Sequence, residues 1–257
     1  MTASPHASSK PILVTGGGRG LGAAIVRRLV EAGHPVTFTY RSAVAEAEAL
    51  MAEIRAAHPE AQLSAYALDL ADRAAVDTLA QALEAGQTWY GFCHNAGASY
   101  DTLAAMMDQD KAEAVMQVNH FAFARLSRAL VRPMTRAREG RIVAIGSVAA
   151  LQANPGNIAY AASKAALLAH VRGLAIETAR RGVTVNYVAP GFIDTAMLEK
   201  YADYRAKMEA QIPAGRFATP DDVAQVVAFL FSPGAGYMTG AVLPVDGGLT
   251  ASLPAHR

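Results

Sequence analysis

The sequence predicts an α/β fold, one doubly wound parallel sheet of about seven strands with helices on both faces. Three observations carry that expectation. Short apolar runs alternate with helical patterns through most of the chain. Those runs are continuous apolar strands, so they read as a parallel sheet covered by helices on both faces. A glycine-rich turn joins the first run to the first helix. Right-handed crossovers then leave few arrangements besides the doubly wound sheet.

The elements follow in order. Pro11–Val14 is a strand, followed by a helix from Gly20 to Ala32 that Gly33 closes. Val36–Tyr40 is the second strand, with the Ala/Glu-rich helix Val44–Ala57 behind it. Leu63–Leu68 is the third strand and Arg73–Leu83 the third helix. Tyr90–Cys93 gives the fourth strand, and long helical patterns run from Thr102 to Thr135. Arg141–Ile145, the helix Ile158–Arg180, Val183–Val188 and Ala241–Val245 complete the alternation. The segment from Phe192 to Gly215 interrupts it. With a mixed helical pattern from Met197 to Met208, this stretch is expected to be a mobile substrate lid.

Composition narrows the function. A chain of 257 residues fits one domain, here 11–257, behind a polar frayed tail at 1–10. The formal net charge of +1 calls for neither nucleic acid nor a charged membrane surface. No apolar run reaches the roughly 18 residues of a spanning helix. The N-terminal stretch has no apolar core and does not read as a secretory signal. The single cysteine, Cys93, sits in an apolar run and reads as a small buried hydrophobe, which fits a reducing cytoplasmic setting. The seven histidines share no metal-ligand spacing, so no metal is expected.

Two patterns carry chemistry. Thr15-Gly16-Gly17-Gly18-Arg19-Gly20-Leu21-Gly22 lies between the first strand and the first helix. Glycines there let the backbone approach a pyrophosphate, whose charge the helix N-terminus stabilises. An acid at the end of the second strand would select NAD through its ribose hydroxyls. Here the strand ends Tyr40-Arg41-Ser42, and Arg41, helped by Arg19, can pair with a 2′-phosphate. NADPH is therefore the expected cofactor. The second pattern is Tyr160-Ala161-Ala162-Ser163-Lys164, which puts phenol and ammonium one helical turn apart. Lowering a tyrosine pKa by about three units takes some 4 kcal/mol. An ammonium about 4 Å away, at an effective dielectric of 20, supplies that order.

These motifs together resemble the short-chain dehydrogenase/reductases, from about Pro11 to Leu249. The glycine loop with Gly16, Gly18, Gly20 and Gly22, and Leu21 among them, matches the family's Thr-Gly-x3-Gly-x-Gly. Asp69, followed by Leu70, matches the acid that holds the adenine. Asn95-Ala96-Gly97 matches the Asn-Ala-Gly after the fourth strand, although His94 replaces the more usual preceding Asn. Asn119, Ser147, Tyr160 and Lys164 match the catalytic tetrad. Pro190-Gly191, with Ile193 and Thr195, matches the segment that holds the nicotinamide carboxamide. The resemblance implies that Ser147 hydrogen-bonds a substrate carbonyl and that Tyr160 protonates its oxygen as NADPH delivers hydride. Lys164 then lowers the tyrosine's pKa and grips the ribose, and Asn119 holds a water leading from Lys164 to solvent.

Within that family the phrasing is most similar to the 3-oxoacyl-ACP reductases, as in Val188-Ala189-Pro190-Gly191-Phe192 and Pro213-Ala214-Gly215-Arg216. Arg138 and Arg181 match positions where such enzymes dock an acidic carrier protein. The expected substrate is thus a 3-oxoacyl thioester. The alternatives are another ketone, sugar or polyketide, or a catalytically idle NADPH-binding protein, against which the intact tetrad argues. Similar proteins pair their two long helices between subunits, so a homo-oligomer, most simply a tetramer, is expected. Phe121, Phe123, Leu167 and Leu168 are assigned to the outer faces of those helices.

Overall fold

In the computed structural model, which describes residues 10–152, 154–196 and 203–251, seven parallel strands form one sheet in the order β3-β2-β1-β4-β5-β6-β7. They are β1 (Ile12–Thr15), β2 (Val36–Tyr40), β3 (Leu63–Ala67), β4 (Gly91–His94), β5 (Gly140–Ile145), β6 (Val183–Pro190) and β7 (Val242–Val245). The order reverses between β1 and β4. In open α/β sheets ligands bind in the crevice at that switch, outside the carboxyl ends of the strands.

Residues alternate across β1 as strand geometry demands. Ile12 and Val14 join the core under one face, and Leu13 joins the core under the other. The helices α1 (Gly20–Glu31) and α2 (Val44–Ala57) cover the first face. The second is covered by α3 (Arg73–Ala85), α5 (Ala122–Ala137) and α6 (Ile158–Thr178). Between β4 and α5 lies the short α4 (Gln109–Met116). After the Arg205–Glu209 turn (α7) comes α8 (Pro220–Phe231), which packs beside α1. The alternation of apolar runs does not disclose α8. Its signal was legible in Thr219-Pro220-Asp221-Asp222: Thr219 accepts from the Asp222 amide, and Asp222 accepts from the Thr219 amide.

Two expectations need correction. The helical patterns over 102–135 do not run unbroken. Asp108 caps a new start for α4, and Gln117–Phe121 forms a π-helical turn between α4 and α5. The outer faces were also misassigned: Phe123, Leu167 and Leu168 are buried, and only Phe121 of the four is exposed. Positions i and i+2 on a helix face nearly opposite ways, so Phe121 and Phe123 cannot both point outward. Phe123 instead stacks on Phe92, with ring centroids 5.8 Å apart. Cys93 is fully buried, and burial pushes its thiol pKa up.

Of the expected lid, residues 197–202 lie outside the described residues, as does the expected tail up to residue 9. Arg205 forms a two-pronged pair with Asp194 at 2.8 and 2.9 Å and also reaches Glu209. Its guanidinium stands over the Phe217 ring at 4.6 Å.

Candidate active site

The glycine loop follows β1 and rests on the end of β2, where the Gly17 amide donates to the Thr39 carbonyl at 2.8 Å. A Cβ on Gly22 would overlap the Gly16 carbonyl, so no other residue lets the loop close this tightly. Arg19 stands at the N-cap of α1 without a side-chain cap, which leaves the first amides of α1, at Gly20, Leu21 and Gly22, to a ligand. Arg19 and Arg41 are both exposed, with no ion-pair partner among the described residues. An uncapped helix start beside two uncommitted guanidinium groups fits a dinucleotide phosphate.

Thr15 ties the end of β1 to the end of β4. Its buried hydroxyl accepts from the Asn95 and Ala96 amides at 3.2 Å each. Its own proton is thereby left for His94 Nδ1, 3.1 Å away. Burial, reinforced by the Lys164 ammonium, pushes the His94 pKa down to about 3, so the ring is neutral. The Asn95 side chain donates to the carbonyls of Thr15 and Gly16, at 3.2 and 2.9 Å. Asn95 therefore ties the glycine loop to the end of β4 with its own amide. Asp69 spends one carboxylate oxygen on the Ala71 amide at the start of its turn. Leu70 is 4% exposed and belongs to the core, so only its backbone can face a ligand.

The tetrad converges past the carboxyl ends of β4 and β5. Asn119 lies in the π-helical turn with its side chain fully buried. It accepts from the Ala98 amide at 2.8 Å and donates to the Ala98 carbonyl and to Ser163 Oγ, at 2.9 and 2.8 Å. A widened turn of this kind often marks a functional position. Ser147 follows β5, and its hydroxyl accepts from the Ala149 amide at 3.1 Å, leaving its proton to donate into the cleft. Tyr160 sits on the first turns of α6. Burial raises its pKa, the Ser147 hydrogen bond lowers it, and the carboxylate of Asp101 raises it again. Lys164 is 2% exposed and donates to the Ile145 carbonyl at 2.8 Å. Its ammonium stands 5.7 Å from the centre of the Tyr160 ring, and burial lowers its pKa to about 8. A protonated phenol, a serine hydroxyl and a buried amine thus meet at one cleft. That set can protonate and polarise a carbonyl oxygen.

Pro190 ends β6, and the Gly191 amide donates to the Val245 carbonyl at 3.0 Å. Ile193 bridges to Ala218, and Thr195 stands over Gly20 at the start of α1. The 190–195 segment therefore closes the crevice over the glycine loop. Arg138 and Arg181 lie elsewhere. Both are exposed at the amino ends of β5 and β6, where the Arg138 guanidinium donates to the Arg180 carbonyl at 3.3 Å. The two arginines are brought together, but at the opposite end of the strands from Ser147 and Gly191. Among the described residues, no three His, Cys, Asp or Glu side chains are grouped to hold a metal, and no helix is long and apolar enough to cross a membrane.

A doubly wound sheet with this crevice and tetrad defines a nicotinamide-dependent oxidoreductase, and the chain belongs to the short-chain dehydrogenase/reductase family. A family profile described as enoyl-(acyl carrier protein) reductase matches residues 16–250. The chain is 41% identical over 248 residues to the 3-oxoacyl-[acyl-carrier-protein] reductase FabG of Pseudomonas aeruginosa, covering 95% of this chain and 98% of that protein. Two solved structures are similar at 36% identity. One is a putative NAD(P)-dependent gluconate 5-dehydrogenase from Beutenbergia cavernae with bound NADP, at a TM-score of 0.89 over 95% of this chain and 98% of that one. The other is a blue fluorescent protein from a metagenomic library in complex with NADPH, at a TM-score of 0.86 over 94% and 98%.

Proposed function

We propose that the protein is an NADPH-dependent reductase of 3-oxoacyl thioesters, carried on acyl carrier protein, giving the 3-hydroxyacyl product. The observation that carries the chemistry is the convergence of Asn119, Ser147, Tyr160 and Lys164 beside an uncapped α1. Likeness to the Pseudomonas enzyme supports the substrate. When bound, the cofactor supplies a hydride to the carbonyl carbon. Tyr160 gives its phenolic proton to the oxygen, and Ser147 donates a hydrogen bond to the same oxygen. Lys164 holds the ribose and restores the tyrosine's proton. Asn119, whose side chain is committed to Ala98 and Ser163, would hold the water that connects Lys164 to solvent. Gly16, Gly18, Gly20, Gly22 and the Arg19/Arg41 pair hold the phosphates, and Asp69 the adenine.

A second reading, reduction of a small polyhydroxy ketone, is favoured by the likeness to the putative gluconate 5-dehydrogenase. The deciding experiment is a panel of acetoacetyl thioesters, carrier-bound and on N-acetylcysteamine, with simple ketones and sugars alongside, followed at the NADPH absorbance. Good turnover of free ketones with none of carrier-bound substrate replaces the first reading by the second.

The carrier reading also makes a demand on Arg138 and Arg181. The six residues of β5 span about 20 Å, so a carrier docked on these arginines reaches the cleft only through its long arm or in a neighbouring subunit. Such assembly, a homo-oligomer and most simply a tetramer, is supported by apolar side chains exposed on the helices, with Ile176 81% and Ile158 48% accessible. Light scattering at micromolar concentration tests it. Replacing both arginines by Glu should raise the KM for carrier-bound substrate severalfold and leave the N-acetylcysteamine thioester unchanged. Equal loss of both activities assigns the arginines to the fold. A cytoplasmic setting fits the buried, unpaired thiol of Cys93.

A further inference from the structure

We infer that Tyr187, on β6 behind the cleft, is a positioning residue whose hydroxyl sets the geometry of Ser147 relative to Tyr160. The inference rests on the proposed roles of that serine and tyrosine. Tyr187 lies in the middle of β6, paired with Ala144 of β5 and Val242 of β7, and its side chain is fully buried. A buried phenol needs partners for its oxygen, and few are free inside a sheet whose backbone is already paired. The partners found belong to two tetrad residues. The Tyr187 hydroxyl accepts from the Ser147 amide at 3.0 Å and donates to the Lys164 carbonyl at 3.2 Å. One side chain thus ties the loop after β5 to the helix carrying Tyr160.

The neighbouring residue is shaped to this ring. Gly146 lies flat against it, and a Cβ there would overlap the ring and hydroxyl of Tyr187. Its amide donates to the Val188 carbonyl at 2.7 Å, so the backbone entering Ser147 is fastened on successive residues. The serine hydroxyl is fixed separately by the Ala149 amide. With amide and hydroxyl both anchored, the Ser147 proton is left to donate into the cleft it shares with Tyr160, whose pKa the Ser147 hydrogen bond lowers. Tyr187 itself faces the core and stays neutral, because burial pushes its pKa above the ordinary tyrosine range. It is therefore no substitute acid.

The test compares the wild type with Tyr187→Phe, Ser147→Ala and the double variant, using any carbonyl the wild type reduces. Tyr187→Phe keeps the ring and removes one oxygen. It should lower kcat by about ten- to a hundredfold, with the dissociation constant of NADPH within about twofold of the wild type. In the alcohol-oxidation direction, its acid limb should move to higher pH, because the serine hydrogen bond that holds the phenol's pKa down is loosened. In the Ser147→Ala background the same substitution should have no further effect. Multiplicative losses, an unmoved pH profile, or a variant that no longer binds NADPH each overturn the inference and leave Tyr187 a packing residue. If the wild type reduces no carbonyl, the proposed function fails by itself. The inference is then read by ultraviolet difference titration of the Tyr160 phenolate, as the spectrum with Tyr160 minus that of Tyr160→Phe. The titration is run once with Tyr187 in place and once in proteins carrying Tyr187→Phe. An equal pKa in both overturns it.

Discussion

Asn119 Nδ2 donates to Ser163 Oγ at 2.8 Å, joining the π-helical turn to α6, the helix that carries Tyr160 and Lys164. Ser163 in turn donates to the Tyr160 carbonyl at 2.7 Å, so the backbone at Tyr160 is braced from outside its own helix. The serine lying between the tyrosine and lysine of the motif is thereby part of the site's scaffold.

Replacing Asn119 by Ala leaves the Ala98 amide and carbonyl without their partners. An unsatisfied buried group costs about 1–3 kcal/mol. For a chain of this size the melting temperature should fall by about 3–10 °C. Differential scanning calorimetry reads that loss. An unchanged Tm means water replaces the side chain.

Tyr160→Phe removes the proton donor and little else. Turnover should fall by about 10²–10⁴-fold, while NADPH still binds with its original affinity in a calorimetric titration. A variant retaining a tenth of wild-type activity assigns the proton to another group.

Lys164 gives the pH dependence. Its pKa is lowered to about 8 by burial, so its ammonium is present below that pH and lost as pH rises through it. Because kcat/KM reports the free enzyme, the profile for reduction should fall on the alkaline side of about pH 8. Lys164→Met should lack that limb. A profile flat to pH 10 shows that the ammonium is not needed or keeps its proton.

Cofactor choice rests on Arg19 and Arg41. NADPH should bind at least about tenfold more tightly than NADH, equivalent to about 1.4 kcal/mol. Arg41→Asp should reverse the preference by repelling the 2′-phosphate and accepting from the ribose hydroxyls. Equal dissociation constants in the wild type remove the assignment.

Much of this protein was decided by local sequence. The inner strands β1, β4, β5 and β6 are buried along their whole length, while the edge strands β3 and β7 are partly exposed, and all seven boundaries fall within about two residues of expectation at each end. The glycine loop and the Tyr160/Lys164 spacing were legible because backbone approach and helical periodicity are local demands. What remained hidden depends on contacts between segments far apart in the chain. Helical periodicity does not reveal a π-helical turn, since the extra residue is held by what Asn119 meets at Ala98 and Ser163. Tyr187 read as one more apolar residue in a buried strand, and Thr15 as the start of a glycine loop. Only the tertiary structure brings the phenol under Ser147 and the hydroxyl between Asn95 and His94, because a buried polar atom takes whatever partners the packing leaves within reach.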